Sequence, residues 1–186
     1  LVIGHSYVRR AEAWSATAPQ MVDARRAWLR INWCGQGGWR LTDLRTQLDN
    51  LLPQRLTLPV AIIVHLGGND IVTLDRKDLF ELVVSELGWL AGRYPMAKIC
   101  WSQIILRCQW RGAQSVQAIN HSVKCLNKKA VLLFATSRLS SIPHGCISGE
   151  QFFLQDGVHL TRDVNAMLVG DWLAWQDKKD WGAGGR

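Results

Sequence analysis

The chain has 186 residues, of which 48% are hydrophobic and 20% are charged, a balance that excludes disordered, collagen-like and low-complexity proteins. This length suits one domain with a full hydrophobic core. Lysine and arginine outnumber aspartate and glutamate by 22 to 15, and the resulting net charge of +7 permits contact with phosphates or anionic surfaces. The longest apolar runs, 60–64 and 130–135, are too short to span a bilayer.

Short apolar runs alternate along the chain with helical stripes of apolar residues. In chain order, the predicted elements are a strand at 1–3, a helix at 7–18, a strand at 28–33, a helix at 41–52 stopped by Pro53, a strand at 60–65, a helix at 79–90, a strand at 99–106, a helix at 116–126, a strand at 131–134 and a helix at 160–175. Asp75 or Asp78 lies near the start of the third helix, and Thr161 is the expected N-cap of the last. This alternation predicts a parallel sheet covered by helices on both faces.

The chain shows no internal repeat and no linker, so we predict a single α/β domain over residues 1–178 with a disordered tail at 179–186. It opens on a predicted strand without an initiating Met, as expected of a domain cut from a longer protein. No two cysteines have the two-residue separation of a zinc or redox motif, which favours a reduced, cytoplasmic or nuclear setting. The cysteines are Cys34, Cys100, Cys108, Cys125 and Cys146.

Basic residues occur as scattered pairs, which are typical of a solvated surface. They also leave room for weak contact with nucleic acid or an anionic membrane. The pairs are Arg9-Arg10, Arg25-Arg26, Lys128-Lys129 and Lys178-Lys179. Trp is abundant at ten residues, and we expect most of these side chains in the core or between helices.

Four polar clusters follow predicted strands or precede the last helix. They are Gly4-His5-Ser6, the glycine-rich segment 35–38, the segment 67–70 (Gly-Gly-Asn-Asp), and the segment 156–159 (Asp-Gly-Val-His). Each alone is more typical of a turn than of a catalytic element. Because ligands bind at the carboxyl ends of parallel strands, four clusters meeting at one sheet edge would make a site.

Together and in this order, the four clusters resemble the four blocks of the SGNH (GDSL-type) hydrolase superfamily. The resemblance implies a three-layer α/β/α sandwich with a flavodoxin-like parallel sheet. It also implies that Ser6 is the nucleophile and that Asp156 and His159 are the carboxylate and the base. Ser6 and Gly38 would offer backbone N–H groups, and Asn69 its side-chain amide, to the oxyanion.

These roles suit the residue types. A serine hydroxyl needs a base to take its proton, and neutral imidazole does this near pH 7. A carboxylate one turn away can accept the other imidazole N–H and fix the tautomer.

Two residues near Ser6 depart from the pattern of the family. His5 replaces the usual Asp before Ser6, and we interpret it as structural because adjacent extended residues point to opposite faces. Val8 rules out the Gly-x-Ser-x-Gly elbow of the larger α/β-hydrolases.

Other candidate sites are weaker. His65, His144 and Cys146 fit no metal-ligand spacing, His121 is expected on a helix surface, and Asp70 is expected to brace the Asn69 loop. The chain has no phosphate-binding or dinucleotide-binding glycine fingerprint, so neither metal nor cofactor is expected.

The sequence therefore predicts a serine esterase acting on a small ester through an acyl-enzyme. The alternative is a catalytically silent module that binds nucleic acid, a membrane or a protein. The positive charge and the tryptophans favour this alternative, and the intact set of site residues opposes it. Residues 4–10 also resemble the SGNH-like domains of some vertebrate retrotransposons, which would fit a domain excised from a polyprotein.

Overall fold

Five parallel strands form the centre of the protein in a computed structural model that describes residues 1–18, 31–51 and 58–178. The strands are β1 (Val2–Gly4), β2 (Trp33–Gly35), β3 (Ala61–His65), β4 (Lys98–Ser102) and β5 (Leu139–Ile142). Their order in the sheet is β2-β1-β3-β4-β5, which is the flavodoxin-like order. In register, Ile3 pairs with both Cys34 and Val64.

Helices cover both faces of this sheet. The helices are α1 (Ser6–Thr17), α2 (Leu44–Leu51), α3 (Arg76–Arg93), α4 (Val116–Phe134) and α5 (Arg162–Lys178), with short 3₁₀ turns at Leu41–Asp43 and Glu150–Phe152. Alternate residues of β3 enter different cores: Ile62 and Val64 pack with α2, α3 and α4, whereas Ala61 and Ile63 pack with α1 and α5. The predicted three-layer α/β/α sandwich with a parallel sheet is thus the observed fold.

The predicted last strand at 131–134 is wrong. These residues form the end of α4, and the fifth strand is Leu139–Ile142. A short apolar run does not separate strand from helix by periodicity alone, and here the helix simply continues. The predicted strand at 99–106 ends earlier, at Ser102. Of the predicted strand at 28–33, residues 28–30 lie outside the described residues, and β2 begins at Trp33.

Most of the tryptophans pack in or against the core, as expected. Four are buried, Trp101, Trp110, Trp172 and Trp175, and four more are partly buried against it, Trp14, Trp33, Trp39 and Trp89. Within residues 1–18, 31–51 and 58–178, no helix has the length and hydropathy needed to cross a membrane.

Among the basic pairs, Arg9, Lys128 and Lys129 are exposed. Arg25-Arg26, Lys179 and the predicted tail at 179–186 lie outside the described residues. Contact with nucleic acid or an anionic membrane stays a prediction.

Candidate active site

A cavity of about 620 Å³ brings together residues from all four polar clusters at the carboxyl edge of the sheet. Ser6, Gly38, Asn69 and His159 line it. Ser6 follows β1, Gly38 follows β2 and Asn69 follows β3, so three neighbouring strands deliver these residues to one place. His159 comes from the loop before α5.

Ser6 is the first residue of α1, and His5 is its N-cap. N–H groups in the first turn of a helix have no intrahelical acceptor and favour negative charge in front of them. His5 is buried, and its Nδ1 accepts the Tyr7 N–H at 3.4 Å, which agrees with a structural role. Burial, reinforced by the nearby charges of Arg107 and His159, holds the pKa of His5 well below its usual value.

His159 and Asp156 form a compact hydrogen-bonded pair. His159 Nδ1 lies 2.5 Å from Asp156 Oδ2, and Asp156 Oδ1 accepts the N–H groups of His159 and Val158 at 2.9 and 3.0 Å. Desolvation acts against the ionised carboxylate, but these hydrogen bonds outweigh it and hold the pKa of Asp156 well below its usual range. A carboxylate on Nδ1 assigns the proton to that nitrogen, so Nε2 of neutral His159 is free to act as a base.

Tyr7 connects the nucleophile side of the site to the His159 loop. It is buried in α1 directly after Ser6, and its hydroxyl donates to the Val158 carbonyl. Burial raises the pKa of this phenol, although Arg107 opposes the shift. Tyr7 therefore holds the loop carrying His159 against the helix carrying Ser6.

Gly38 and Asn69 line the same cavity as Ser6. Gly38 has φ +86°, a left-handed conformation that favours glycine. Asn69 Nδ2 donates to the Trp39 carbonyl at 2.9 Å, which leaves its second amide hydrogen for a ligand. Asp70 is buried and accepts the Leu41 N–H at 3.3 Å through each oxygen, which joins the Asn69 loop to the segment after Gly38. Burial raises the pKa of Asp70.

Four arginines of this cavity were not predicted as site residues from the sequence. Arg9, Arg40, Arg107 and Arg111 line it, together with Trp110. Arg9 and Arg40 come from separate segments of the chain, whereas Arg107 and Arg111 lie four positions apart in the segment between β4 and α4. Only Arg9 belonged to a pair that the sequence singled out.

A second Ser–His–Asp chain, also missed, lies inside the protein. Ser102 Oγ is 2.7 Å from His144 Nε2, and His144 Nδ1 is 2.7 Å from Asp171 Oδ2. Ser102 also contacts His65 Nδ1 at 2.7 Å and accepts the Trp172 Nε1–H at 2.8 Å. Ser102 has no exposed surface, so a substrate cannot reach it in this conformation.

No group of three or more His, Cys, Asp or Glu side chains in the described part of the chain is arranged to hold a metal ion. His65 and His144 both belong to the hydrogen-bond network around Ser102, whereas Cys146 is exposed. His121 is exposed on α4, as expected.

The fold of this protein is similar to the folds of several solved structures. No family model matches the sequence, and no curated protein matches it. Solved structures do match. A member of the lipolytic G-D-S-L family from Veillonella parvula has 14% identity and a TM-score of 0.72, with 96% of this chain and 97% of that chain covered.

Two further structures agree with this match. An acetyl xylan esterase has 14% identity and a TM-score of 0.68, covering 94% of this chain and 97% of that chain. A psychrotrophic esterase from Pseudoalteromonas, inhibited by monoethylphosphonate, has 12% identity and a TM-score of 0.66, covering 95% of this chain and 97% of that chain. At these identities the likeness establishes the fold.

Proposed function

We propose that this protein is a serine esterase that cleaves short acyl esters, with Ser6 as nucleophile. The observation that carries the proposal is the His159–Asp156 pair, whose histidine lines the same cavity as Ser6. Three solved structures of similar fold that are named as lipolytic proteins or esterases add support, and one of them is an acetyl xylan esterase by name.

In the first step, His159 Nε2 takes the Ser6 hydroxyl proton while Ser6 Oγ forms a bond to the ester carbonyl carbon. The negative charge that develops on the carbonyl oxygen would be met by the N–H groups of Ser6 and Gly38 and by the Asn69 amide. The tetrahedral intermediate then loses its alcohol, which takes the proton from His159. Water repeats the sequence on the acyl-enzyme and releases the acid and free Ser6.

The buried Ser102 supplies a matched alternative nucleophile within the same chain. It too has a histidine and an aspartate in line, but it is fully buried whereas Ser6 is partly exposed on the cavity wall. Access therefore favours Ser6. The two serines make a sharp comparison because each can be changed to alanine by removing a single oxygen.

A fluorophosphonate probe tests the assignment. We expect the modified peptide to carry the probe on Ser6, and we expect labelling and 4-nitrophenyl acetate hydrolysis to disappear in Ser6→Ala and His159→Ala. Ser102→Ala is the control and should retain labelling if it folds. Labelling of Ser102, or labelling that survives in Ser6→Ala, would overturn the proposal.

A further inference from the structure

The cavity that contains Ser6 has a strongly positive wall. Four of its lining side chains are arginines: Arg9, Arg40, Arg107 and Arg111. Among the described residues, no aspartate or glutamate lines the same cavity. A concave site lined by one sign of charge attracts ligands of the opposite sign. A neutral ester would not use this feature.

Arg107 is the part of this wall that is built into the protein. Its backbone N–H donates to Asn120 Oδ1 at 3.2 Å, and its carbonyl accepts from Asn120 Nδ2 at 2.9 Å. The guanidinium lies 4.5 Å from the ring centre of Trp110 and 5.2 Å from that of Tyr7. Only 7% of the residue is exposed. The side chain is thus held in place by two aromatic rings and an anchored backbone.

The Arg107 guanidinium has no carboxylate partner among the described residues, and its buried Nε has no hydrogen-bond partner. Burying a charge without an opposite charge is unfavourable, so a buried guanidinium that has no carboxylate partner and lies on a cavity wall points to an anion that comes from outside. The glycine at position 68 makes room for the Arg107 guanidinium, because a Cβ on Gly68 would lie 2.6 Å from Arg107 Nη2.

We propose that the substrate is an ester that also carries an anionic group, a carboxylate or a phosphate, and that Arg107 binds this group. The inference rests on the proposed esterase function and deepens it by naming the substrate class. A planar guanidinium suits both anions, since it can donate two parallel hydrogen bonds to either. The exposed Arg9, Arg40 and Arg111 add a weaker, salt-sensitive attraction at the mouth of the cavity.

Arg107 could instead act on the oxyanion of the transition state, and the two roles predict different kinetics. Stabilisation of the oxyanion would help neutral and anionic esters equally, because both develop the same charge. Binding of a second anionic group helps only the substrate that has one. The ratio of kcat/KM for an acidic ester to that for its neutral analogue, compared between the unmodified protein and Arg107→Gln, therefore distinguishes the two roles.

Two matched pairs of acetyl esters provide this ratio, with acetate release as the readout. One pair is 4-acetoxybenzoate and its methyl ester, and the other is 1-acetylglycerol 3-phosphate and 1-acetylglycerol. We expect the acidic member of at least one pair to be preferred by roughly 10- to 100-fold, the range for a hydrogen bond to a charged group. The pair that shows the preference distinguishes carboxylate from phosphate.

The preference should vanish in Arg107→Gln and persist in Arg138→Gln, which removes an exposed arginine bonded to the Pro95 carbonyl at the other end of the sheet. If Arg107→Gln does not fold, the exposed Arg9→Gln/Arg111→Gln double variant serves instead and should reduce the preference several-fold. Two results would overturn the inference. One is an equal kcat/KM for the two members of both pairs with the unmodified protein. The other is an equal loss of kcat/KM for acidic and neutral esters in Arg107→Gln.

Calorimetry on the Ser6→Ala protein separates this inference from the proposed function. We expect the acidic ester to bind at least tenfold more tightly than its neutral analogue, and to lose that advantage in Ser6→Ala/Arg107→Gln. If no ester is turned over and Ser6 is not labelled, the esterase proposal fails, and this binding difference still decides whether Arg107 binds the anionic group. Equal binding of both esters would contradict it.

Discussion

His159 and Asp156 are joined at two levels: the imidazole Nδ1 lies 2.5 Å from one carboxylate oxygen, and the His159 backbone N–H donates to the other at 2.9 Å. The carboxylate therefore fixes both the ring and the backbone of the base. Because the spacing of the two residues is only three positions, a single turn carries the whole arrangement. The imidazole is oriented before any substrate arrives.

Asp156→Asn tests this relationship. The amide cannot stabilise an imidazolium as a carboxylate does, and it favours the wrong tautomer. We expect kcat for 4-nitrophenyl acetate to fall by roughly 10³- to 10⁴-fold, as is typical when the triad carboxylate becomes an amide. Steady-state kinetics with circular dichroism as the folding control checks this. A loss below tenfold in a folded variant would remove Asp156 from the mechanism.

Asn69→Ala tests the side-chain donor proposed for the oxyanion. One amide hydrogen of Asn69 is used by the Trp39 carbonyl, and the other is available to an oxyanion. That contact matters only when charge develops, so we expect kcat to fall by roughly 10²- to 10³-fold with little change in KM. An effect on KM alone would make Asn69 a ground-state binding residue.

The sequence predicted those parts of the fold and site that depend on local patterns. The apolar run before His65 and the glycines that follow it already define a buried strand ending in a loop, and β3 is found there. The strand predicted at 131–134 was wrong because this apolar run has the composition of a buried strand but continues helix α4. The 156–159 segment was recognisable since its two functional residues are three positions apart.

The positions that the sequence did not reveal depend on contacts between distant segments. Arg107 lies in the irregular segment between β4 and α4, and its burial depends on Tyr7, 100 positions away in the chain. The Ser102 network likewise unites β4, the loop after β5, and α5. No spacing rule connects such residues before the fold is known.

We expect Ser102→Ala to lower the stability of the protein rather than its catalytic activity. The hydroxyl has one hydrogen and two lone pairs, and the described structure gives it three partners, His65, His144 and Trp172. Its removal leaves buried polar groups unsatisfied, and we expect a loss of about 1–3 kcal/mol in the free energy of unfolding. Urea denaturation measures this. Ser140→Ala, which removes one bond to the Ile99 carbonyl, is the control and should cost less. Equal costs would argue against a shared network.

A separate prediction concerns the binding of nucleic acid by the basic surface of α4. Lys124, Lys128 and Lys129 are exposed on α4, and this surface would bind phosphates with little base preference and with affinity that falls steeply as salt increases. We expect Lys128→Glu/Lys129→Glu to weaken retention of RNA, measured by filter binding at several salt concentrations. Arg76→Glu/Lys77→Glu is a control of equal charge change beside acidic residues of α3, and it should weaken retention less. Absent or salt-independent retention by the unmodified protein would contradict the prediction.

Acidification should destabilise the protein before the carboxylates titrate. His5 and His65 are buried, and burial, aided by Arg107 and by the neighbouring histidines His159 and His144, holds the pKa of each well below its usual value. The unfolded chain binds protons below about pH 6.5 that these native histidines exclude, so the free energy of unfolding falls as pH decreases below that point. The limiting slope is about 1.4 kcal/mol per pH unit for each histidine.

Urea denaturation between pH 8 and pH 5.5 measures this slope of the free energy of unfolding against pH. His65→Gln, or His5→Asn if the first does not fold, should reduce the slope. A flat profile over this interval would show that both native histidines take up protons as readily as the unfolded chain does.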